Sequence, residues 1–167
     1  MSDTATNPAP GVQPPLTVNI QYIKDLSFEV PNAPQVFTTL RTAPRVDLNL
    51  DVQARRVVEG QEVFEVVLAI RADGQDPTPP TNGEAPGRVF LVELAYAGVF
   101  TLNGIPNDQV EPVLLVECPR ILFPFARNIL AEITRDGGFP PVLMQPIDFL
   151  SLWQSRRSQG AAPVIAS

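Results

Sequence analysis

The stretch RVFLVELAYAGVFTL, residues 88 to 102, decides which fold this sequence can adopt. Its side chains alternate with the period of a β-strand, and both faces are mostly apolar. Phe90 and Val92 represent the even face, and Leu91 and Val99 represent the odd face. Because water can cover neither face well, an antiparallel strand of this kind requires a second covering layer or a subunit partner.

Three strands are predicted before this one, in residues 16 to 30, 45 to 55 and 62 to 72. The first alternates with two exceptions, Lys24 on its apolar face and Ile23 on its polar face. The predicted core faces are Leu16, Val18, Ile20, Tyr22, Leu26, Phe28 and Val30 in the first strand, Val46, Leu48, Leu50 and Val52 in the second, and Phe64, Val66, Leu68 and Ile70 in the third.

Helical periodicity follows the strands, but Pro119 and Pro124 interrupt it within CPRILFPFARNIL, residues 118 to 130. A proline inside a helix removes a hydrogen bond, so we expect a break or kink at Pro119. The buried stripe after it is predicted to be Leu122, Phe125, Ile129 and Ile133. Pro146 is predicted to open a last helix with Phe149, Leu152 and Trp153 on one side. The expected fold is therefore α+β, a four-stranded antiparallel sheet followed by two helices, the first kinked at its prolines.

Charge is distributed unevenly along the chain, whose net charge is −6. Residues 1 to 117 hold 15 acids and 7 bases, and residues 118 to 167 hold 3 acids and 5 bases. The acid therefore lies on the strand-rich part, which disfavours nucleic acid as a partner.

Residue types that support catalysis or metal binding are scarce. The chain has no histidine, which removes the commonest general base and zinc ligand. Its one cysteine, Cys118, lies in an apolar run and is expected to be buried and unreactive. We therefore expect neither an enzyme nor a cofactor. Without a signal peptide or a spanning apolar run, a cytoplasmic location without membrane insertion is expected.

Two long blocks of sequence carry a family resemblance. KDLSFEVPNAPQVF, residues 24 to 37, and CPRILFPFARNIL continuing through TRDGGFPPVLMQPIDFLSLW to residue 153, resemble the bacterial export chaperone SecB. The resemblance covers roughly residues 17 to 155. It implies a disordered extension at 1–15, one domain at 16–155 and a flexible tail at 156–167. The Pro-rich loop at 72–87 is longer than is usual in the family, and the tail is not acidic, which leaves tail contacts with a partner in doubt.

The resemblance implies a chaperone that works without ATP. Such a protein holds unfolded precursor proteins in the cytoplasm and delivers them to the translocation ATPase SecA. Family members are homotetramers, dimers of dimers, with long apolar grooves for extended polypeptide. The prolines lie where the family also has them, so their break would be architectural.

The resemblance also assigns residues to three surfaces. The residues expected to dock SecA are Asp25, Glu29, Leu91 and Glu93. The three carboxylates lie at positions of polar parity in their strands, and Leu91 is next to Glu93 on the same face. The client-binding groove is expected to comprise Val46, Leu48, Leu50, Phe90, Val92, Leu94, Phe149 and Trp153. The oligomer interface is expected to include Val92, Leu94 and Tyr96. Each of these side chains also has an ordinary explanation, as a core residue or a solvated carboxylate.

Other functions remain open at this stage. One is a SecB-like chaperone dedicated to a single client, such as an antitoxin. Another is a structural oligomeric adaptor without a client groove, and the least favoured is an enzyme that uses carboxylates. Binding to several unrelated precursors would oppose the first, and slowed refolding of apolar substrates would oppose the second.

Overall fold

A single twisted sheet forms the body of the protein in a computed structural model, which describes residues 11, 13–85, 87–160 and 165–166. Its strand order is β1-β4-β3-β2-β5, with the first four strands antiparallel. The two-residue β5, which the sequence did not predict, pairs in parallel with Ala54 and Arg55 of β2. The strands are β1 (Leu16–Glu29), β2 (Arg45–Arg56), β3 (Val63–Gln75), β4 (Arg88–Leu102) and β5 (Ile165–Ala166).

The sheet has two unlike faces. The helix face carries the even residues of β4 from Phe90 to Leu102, which are buried, and Gly98 on this face lies so close to Leu122 of the long helix that an added Cβ would be 3.0 Å from its side chain. The open face carries the odd residues of β4, including Glu93 and Ala95. The predicted core residues Phe64, Val66, Leu68 and Ile70 of β3 are confirmed, since all four are buried on the helix face.

Strand β1 departs from the simple alternation that the sequence predicted. Its register against β4 shifts between Val18 and Ile20 and again between Ile23 and Asp25. Each β-bulge inserts one residue and reverses the parity of the strand. Ile20 and Tyr22 therefore lie on the open face, and Ile23 lies on the helix face. Both exceptions in the sequence pattern are explained: the first bulge puts Ile23 on the helix face, and Lys24 is the extra residue of the second bulge.

The expected break at the prolines is absent. Helical structure runs without interruption from α2 (Asn107–Pro112) through a π-helical turn (Val113–Glu117) into α3 (Cys118–Asp136). Pro119 lies in the first turn of α3, two residues after the π-helical turn ends, and such a turn relaxes the hydrogen-bond ladder that a proline would otherwise break. Pro124 lies on the exposed side of α3, where water can reach the carbonyl that has lost its N–H partner.

The buried stripe of α3 also differs from the predicted one. Leu122 is buried as expected, but Phe125 is half exposed, and Ile129 and Ile133 are only partly buried. The buried side of α3 is formed by Cys118, Pro119, Leu122, Phe123, Ala126, Leu130 and Thr134.

Two shorter helices lie near the ends of the sheet. Helix α1 (Val36–Thr39) follows β1 and buries Val36. Helix α4 (Phe149–Ser158) begins three residues after Pro146, because the Asp148 side chain caps it by accepting a hydrogen bond from the Ser151 N–H.

The predicted N-terminal extension and C-terminal tail lie partly outside the residues that the structure describes. Residues 1–10 and 12 of the extension, and 161–164 and 167 of the tail, fall there. The backbone carbonyls of Pro14 and Pro15 accept hydrogen bonds from Asn103. The boundary at 155 cuts through α4, which continues to Ser158. Among the described helices, none is both long and apolar enough to cross a membrane.

Candidate functional site

The four residues assigned to docking lie together on the open face of the sheet. The register places Glu29 opposite Leu91 and Ser27 opposite Glu93 on neighbouring strands. Asp25, opposite Ala95, stands one row further along the same face. Asp25, Glu29 and Glu93 are exposed, but Leu91 is buried and presents little surface. The structure therefore brings three carboxylates to one exposed region, which we call the acidic patch (Asp25, Glu29 and Glu93).

Arginines neutralise part of this face. The Arg71 guanidinium pairs with Glu93 at 2.5 Å, and Arg88 pairs with Asp73 at 2.8 Å. Within the described residues, Asp25 and Glu29 have no basic side chain within 4.0 Å. These two carboxylates are therefore the ones that a basic partner can reach without displacing an internal ion pair.

A buried carboxylate links side chains of three strands, β1, β2 and β3, beside the acidic patch. Glu65 of β3 is only 2 % exposed and accepts hydrogen bonds from Tyr22, Lys24 and Arg55. Burial raises the pKa of Glu65, but the three hydrogen bonds outweigh burial and lower that pKa to about 2. Burial and the hydrogen bond to Glu65 raise the pKa of Tyr22 to about 12. The charged cluster fixes Lys24, the bulged residue that directly precedes Asp25.

The residues assigned to the client groove share the helix face but differ in accessibility. Register pairing aligns Val46, Leu48 and Leu50 of β2 with the rows of Phe90, Val92 and Leu94, respectively. Leu48 is 45 % exposed, and Val46 and Leu50 are partly exposed.

The inner members of this set are core residues. Phe90, Val92, Leu94 and Phe149 are all nearly inaccessible in the folded chain. A groove-lining side chain has to be accessible, so the prediction that these four line a groove is corrected. The reason lies in topology: β4 and the start of α4 are central, whereas β2 lies near the edge of the sheet.

An aromatic cluster that the sequence analysis missed borders the same face. Phe139 packs against Phe28, Phe37 and Phe90, with ring centroids 6.4, 5.2 and 5.1 Å away, and Phe37 is half exposed. An added Cβ on Gly138 would lie 3.0 Å from the Phe37 ring. Gly137 and Gly138, which follow the end of α3, thus make room for these rings.

Helix α4 lies beside the β2 edge, where the resemblance places it. Arg156 donates to the carbonyl oxygen of Leu50 at 3.1 Å and pairs with Asp51 at 2.6 Å. Trp153 is partly buried, and its indole N–H donates to Glu111 at 2.7 Å. The Trp153 ring lies near Val52 of β2 with the Arg157 guanidinium 5.0 Å from its centroid, so the ring is only partly accessible and its polar atom is already satisfied.

The residues assigned to the oligomer interface require a similar correction. Val92, Leu94 and Tyr96 are buried within the single chain, so they have little surface for a second subunit. The accessible apolar side chains near Tyr96 are instead Phe125, whose ring lies 6.2 Å from the Tyr96 ring, and Ile23, which is opposite Tyr96 on β1. Phe125 and Ile23 are both about half exposed.

The described residues offer no sign of covalent or metal chemistry. Cys118 is fully buried, which confirms the expected burial, and burial together with Glu117 raises the pKa of its thiol to about 12. No group of three or more metal-binding side chains occurs in the described part of the chain.

Sequence comparisons agree with the resemblance. The family profile described as "Preprotein translocase subunit SecB" matches residues 9–160. The chain is 60 % identical to the protein-export protein SecB of Granulibacter bethesdensis, covering 95 % of this chain and 92 % of that protein. It is also 60 % identical to the protein-export protein SecB of Acidiphilium cryptum, covering 92 % of this chain and 95 % of that protein.

A solved structure has a similar fold. It is a SecB-like chaperone from Mycobacterium tuberculosis in complex with a ChAD peptide from the HigA1 antitoxin. The TM-score is 0.62 over 79 % of this chain and 90 % of that chain, at 13 % sequence identity. At this identity the likeness extends to the fold alone, an antiparallel sheet with helices on one face.

Proposed function

The chain belongs to the SecB family and is a chaperone of protein export, and on this premise we propose that it holds unfolded precursors without ATP and delivers them to the ATPase SecA. The observation that carries the proposal is the division of one sheet into an acidic open face and an apolar helix face. Holding a client and docking a translocation motor need different chemistry, and the two faces supply it separately. SecB is a chaperone family, not an enzyme class.

The proposed client surface runs over the accessible part of the helix face. It comprises Leu48 with Val46 and Leu50 on β2, Trp153 on α4, and Phe37 at the aromatic cluster. Val46 is in the same row as Phe90, and the Phe90 ring packs on Phe139. Phe139 in turn contacts Phe37, so the β2 residues and Phe37 border one continuous apolar surface. Apolar side chains make few directional demands on a ligand, which suits a protein that accepts many unfolded sequences.

The proposed SecA site is the acidic patch. Asp25 and Glu29 form no ion pair within 4.0 Å among the described residues, and a basic element of SecA complements them. Complementary charge raises the encounter rate and selects the partner more than it adds affinity. We place this encounter in the cytoplasm.

The proposed assembly is a homotetramer, a dimer of dimers, in which β1 contacts another subunit. Strand β1 is at the outer end of the strand order and is 14 residues long. Its apolar residues Val18, Ile20 and Ile23 are exposed. A long, apolar, uncovered edge strand promotes uncontrolled pairing, so a defined subunit contact is the expected cover.

Separation of the two activities tests the proposal. Asp25→Asn combined with Glu29→Gln should weaken SecA binding about tenfold, because uncharged amides keep the size but lose the attraction. Leu48→Ser should instead weaken binding of an unfolded precursor while it leaves SecA binding unchanged. Isothermal titration with purified SecA, and retarded refolding of the precursor, measure the two activities.

Matched controls lie elsewhere on the same chain. Asp47→Asn removes a carboxylate from the open face outside the acidic patch, and Val57→Ser removes an exposed apolar side chain from the β2–β3 turn. Both controls should bind SecA and precursor as the unchanged protein does. Loss of both activities in either test variant would refute separate surfaces.

A further inference from the structure

A shallow cavity of about 280 Å³ opens on the sheet next to the acidic patch. Its floor is formed by Ala69 of β3 and Ala95 of β4, whose short side chains leave a dip between longer neighbours. The side chains around it are Asp25, Asn49, Asp51, Arg71 and Glu93. We call this cavity the alanine trough.

The strand register shows how the trough is built. Asp25 lies opposite Ala95, Ala95 lies opposite Ala69, and Ala69 lies opposite Asp51. One row across four strands therefore has a carboxylate at each end and two methyl groups between. With strands about 4.8 Å apart, the row spans about 14 Å.

The charged residues around the trough differ in how far they are already paired. Glu93 pairs with Arg71, and Asp51 pairs with Arg156 and also accepts a hydrogen bond from Gln53. Asp25 has no basic neighbour within 4.0 Å among the described residues. With Arg156 included, three carboxylates against two guanidiniums still leave the site with a negative charge.

This combination fits one kind of occupant. A lysine or arginine has an aliphatic stem that packs on apolar surface while its charged end seeks a carboxylate. We propose that the alanine trough receives a basic side chain of the docked partner, with the stem on Ala95 and Ala69 and the cation at Asp25. The proposal rests on the docking function assigned to the acidic patch and extends that site from β1 and β4 towards β2.

Filling the trough without changing any charge tests this inference. Ala69→Leu and Ala95→Leu place a branched side chain where the stem would lie. Each should weaken SecA binding about tenfold, equivalent to about 1.4 kcal/mol. Precursor binding and the midpoint of thermal unfolding should not change, because both positions are on the open face away from the core.

Thr17→Leu is the matched control, since it adds similar bulk to the open face at the far end of β1. A double-mutant cycle supplies the second measurement. Lysines and arginines in SecA's basic element are changed singly to alanine and tested against Ala69→Leu. For the SecA residue that enters the trough, the change to alanine should weaken binding to the Ala69→Leu chaperone less than it weakens binding to the unchanged chaperone. The reason is that Ala69→Leu has already removed the surface which that residue contacts.

The outcomes separate this inference from the docking proposal. If both leucine variants bind SecA normally while Asp25→Asn with Glu29→Gln binds weakly, docking stands and the trough is not its basic pocket. An equal loss with Thr17→Leu, or no coupled basic residue, would also overturn the inference. If the charge variant binds normally as well, the docking site itself is wrong.

Discussion

Glu65 illustrates how one side chain determines the geometry of a surface that it does not itself present. Its carboxylate accepts hydrogen bonds from Tyr22 and Lys24 on β1 and from Arg55 on β2. These bonds cross the sheet at the bulge where β1 changes parity. Because the bulge sets which residues of β1 face outward, the cluster places Asp25 on the open face with Glu29 and Glu93.

Replacing Glu65 should lower stability in a pH-dependent way. Glu65→Gln loses hydrogen bonds from charged donors, so its free energy of unfolding at pH 7 should fall by about 2 kcal/mol. Because the folded-state pKa is about 2, below the ordinary 4.5, the carboxylate stabilises the fold fully above about pH 4.5. That stabilisation is lost as pH falls towards 2, so the difference from the unchanged protein should shrink there.

Urea unfolding at several pH values measures this difference. Glu62→Gln is the control, because Glu62 is exposed and its surface pair with Arg56 contributes little. A Glu65→Gln difference that is constant between pH 7 and pH 3 would contradict the assignment of an ionised, hydrogen-bonded Glu65.

Among the elements, β1 differs most between expectation and structure. The sequence predicted the strand itself, but a strict alternation cannot reveal two bulges that come from pairing with β4. Alternation predicted β2 and β3 well, because neither strand is bulged where they pair with each other. The docking residues Asp25 and Glu29 were assigned to the correct face because the second bulge cancels the first.

Helix α3 shows a second limit of sequence patterns. Its prolines predicted a break, yet the π-helical turn before Pro119 keeps the helix continuous, and no periodicity marks that turn in advance. The buried stripe of α3 also runs along a slightly different side of the helix from the predicted one. Phe125 therefore lies on the flank of α3, although the sequence pattern predicted it in the core.

The proposed subunit contact at β1 can be tested at Ile23, one of its exposed apolar residues. Ile23→Lys puts a charge on the proposed subunit contact, and an unpaired charge buried there is unfavourable, so the assembly should dissociate into smaller species. Folding of the single chain should persist, because Ile23 is about half exposed. Sedimentation velocity measures the change, with Val57→Lys as the control on an exposed residue of similar size.

Either of two results would contradict this placement. An assembly of unchanged mass in Ile23→Lys would show that β1 is not at a contact. Dissociation of Val57→Lys to the same extent would show that any added charge disrupts the assembly.

At the scale of the whole molecule, the sequence predicted the fold class and the family but not the accessibility of each residue. The resemblance assigned Phe90, Val92 and Leu94 to a groove, and the two apolar faces of β4 were compatible with that assignment. In the structure the helices cover one of these faces, and the other is the open face with its alanine floor. Burial depends on which elements stack on a strand, and a strand's own pattern does not contain that information.

The same arrangement accounts for a chaperone that passes its client to a motor. A client on the helix face leaves the acidic open face uncovered, so SecA and precursor need not compete for one surface. Their binding should therefore be independent or mutually favourable.

Native mass spectrometry of the purified chaperone with an unfolded precursor and SecA, added singly and together, tests this central claim most directly. The account predicts one species that contains chaperone, precursor and SecA, and its loss in Asp25→Asn with Glu29→Gln while the chaperone–precursor species persists. If SecA instead displaces the precursor in proportion to its concentration, the two ligands share one surface, and the division of labour between the faces is wrong.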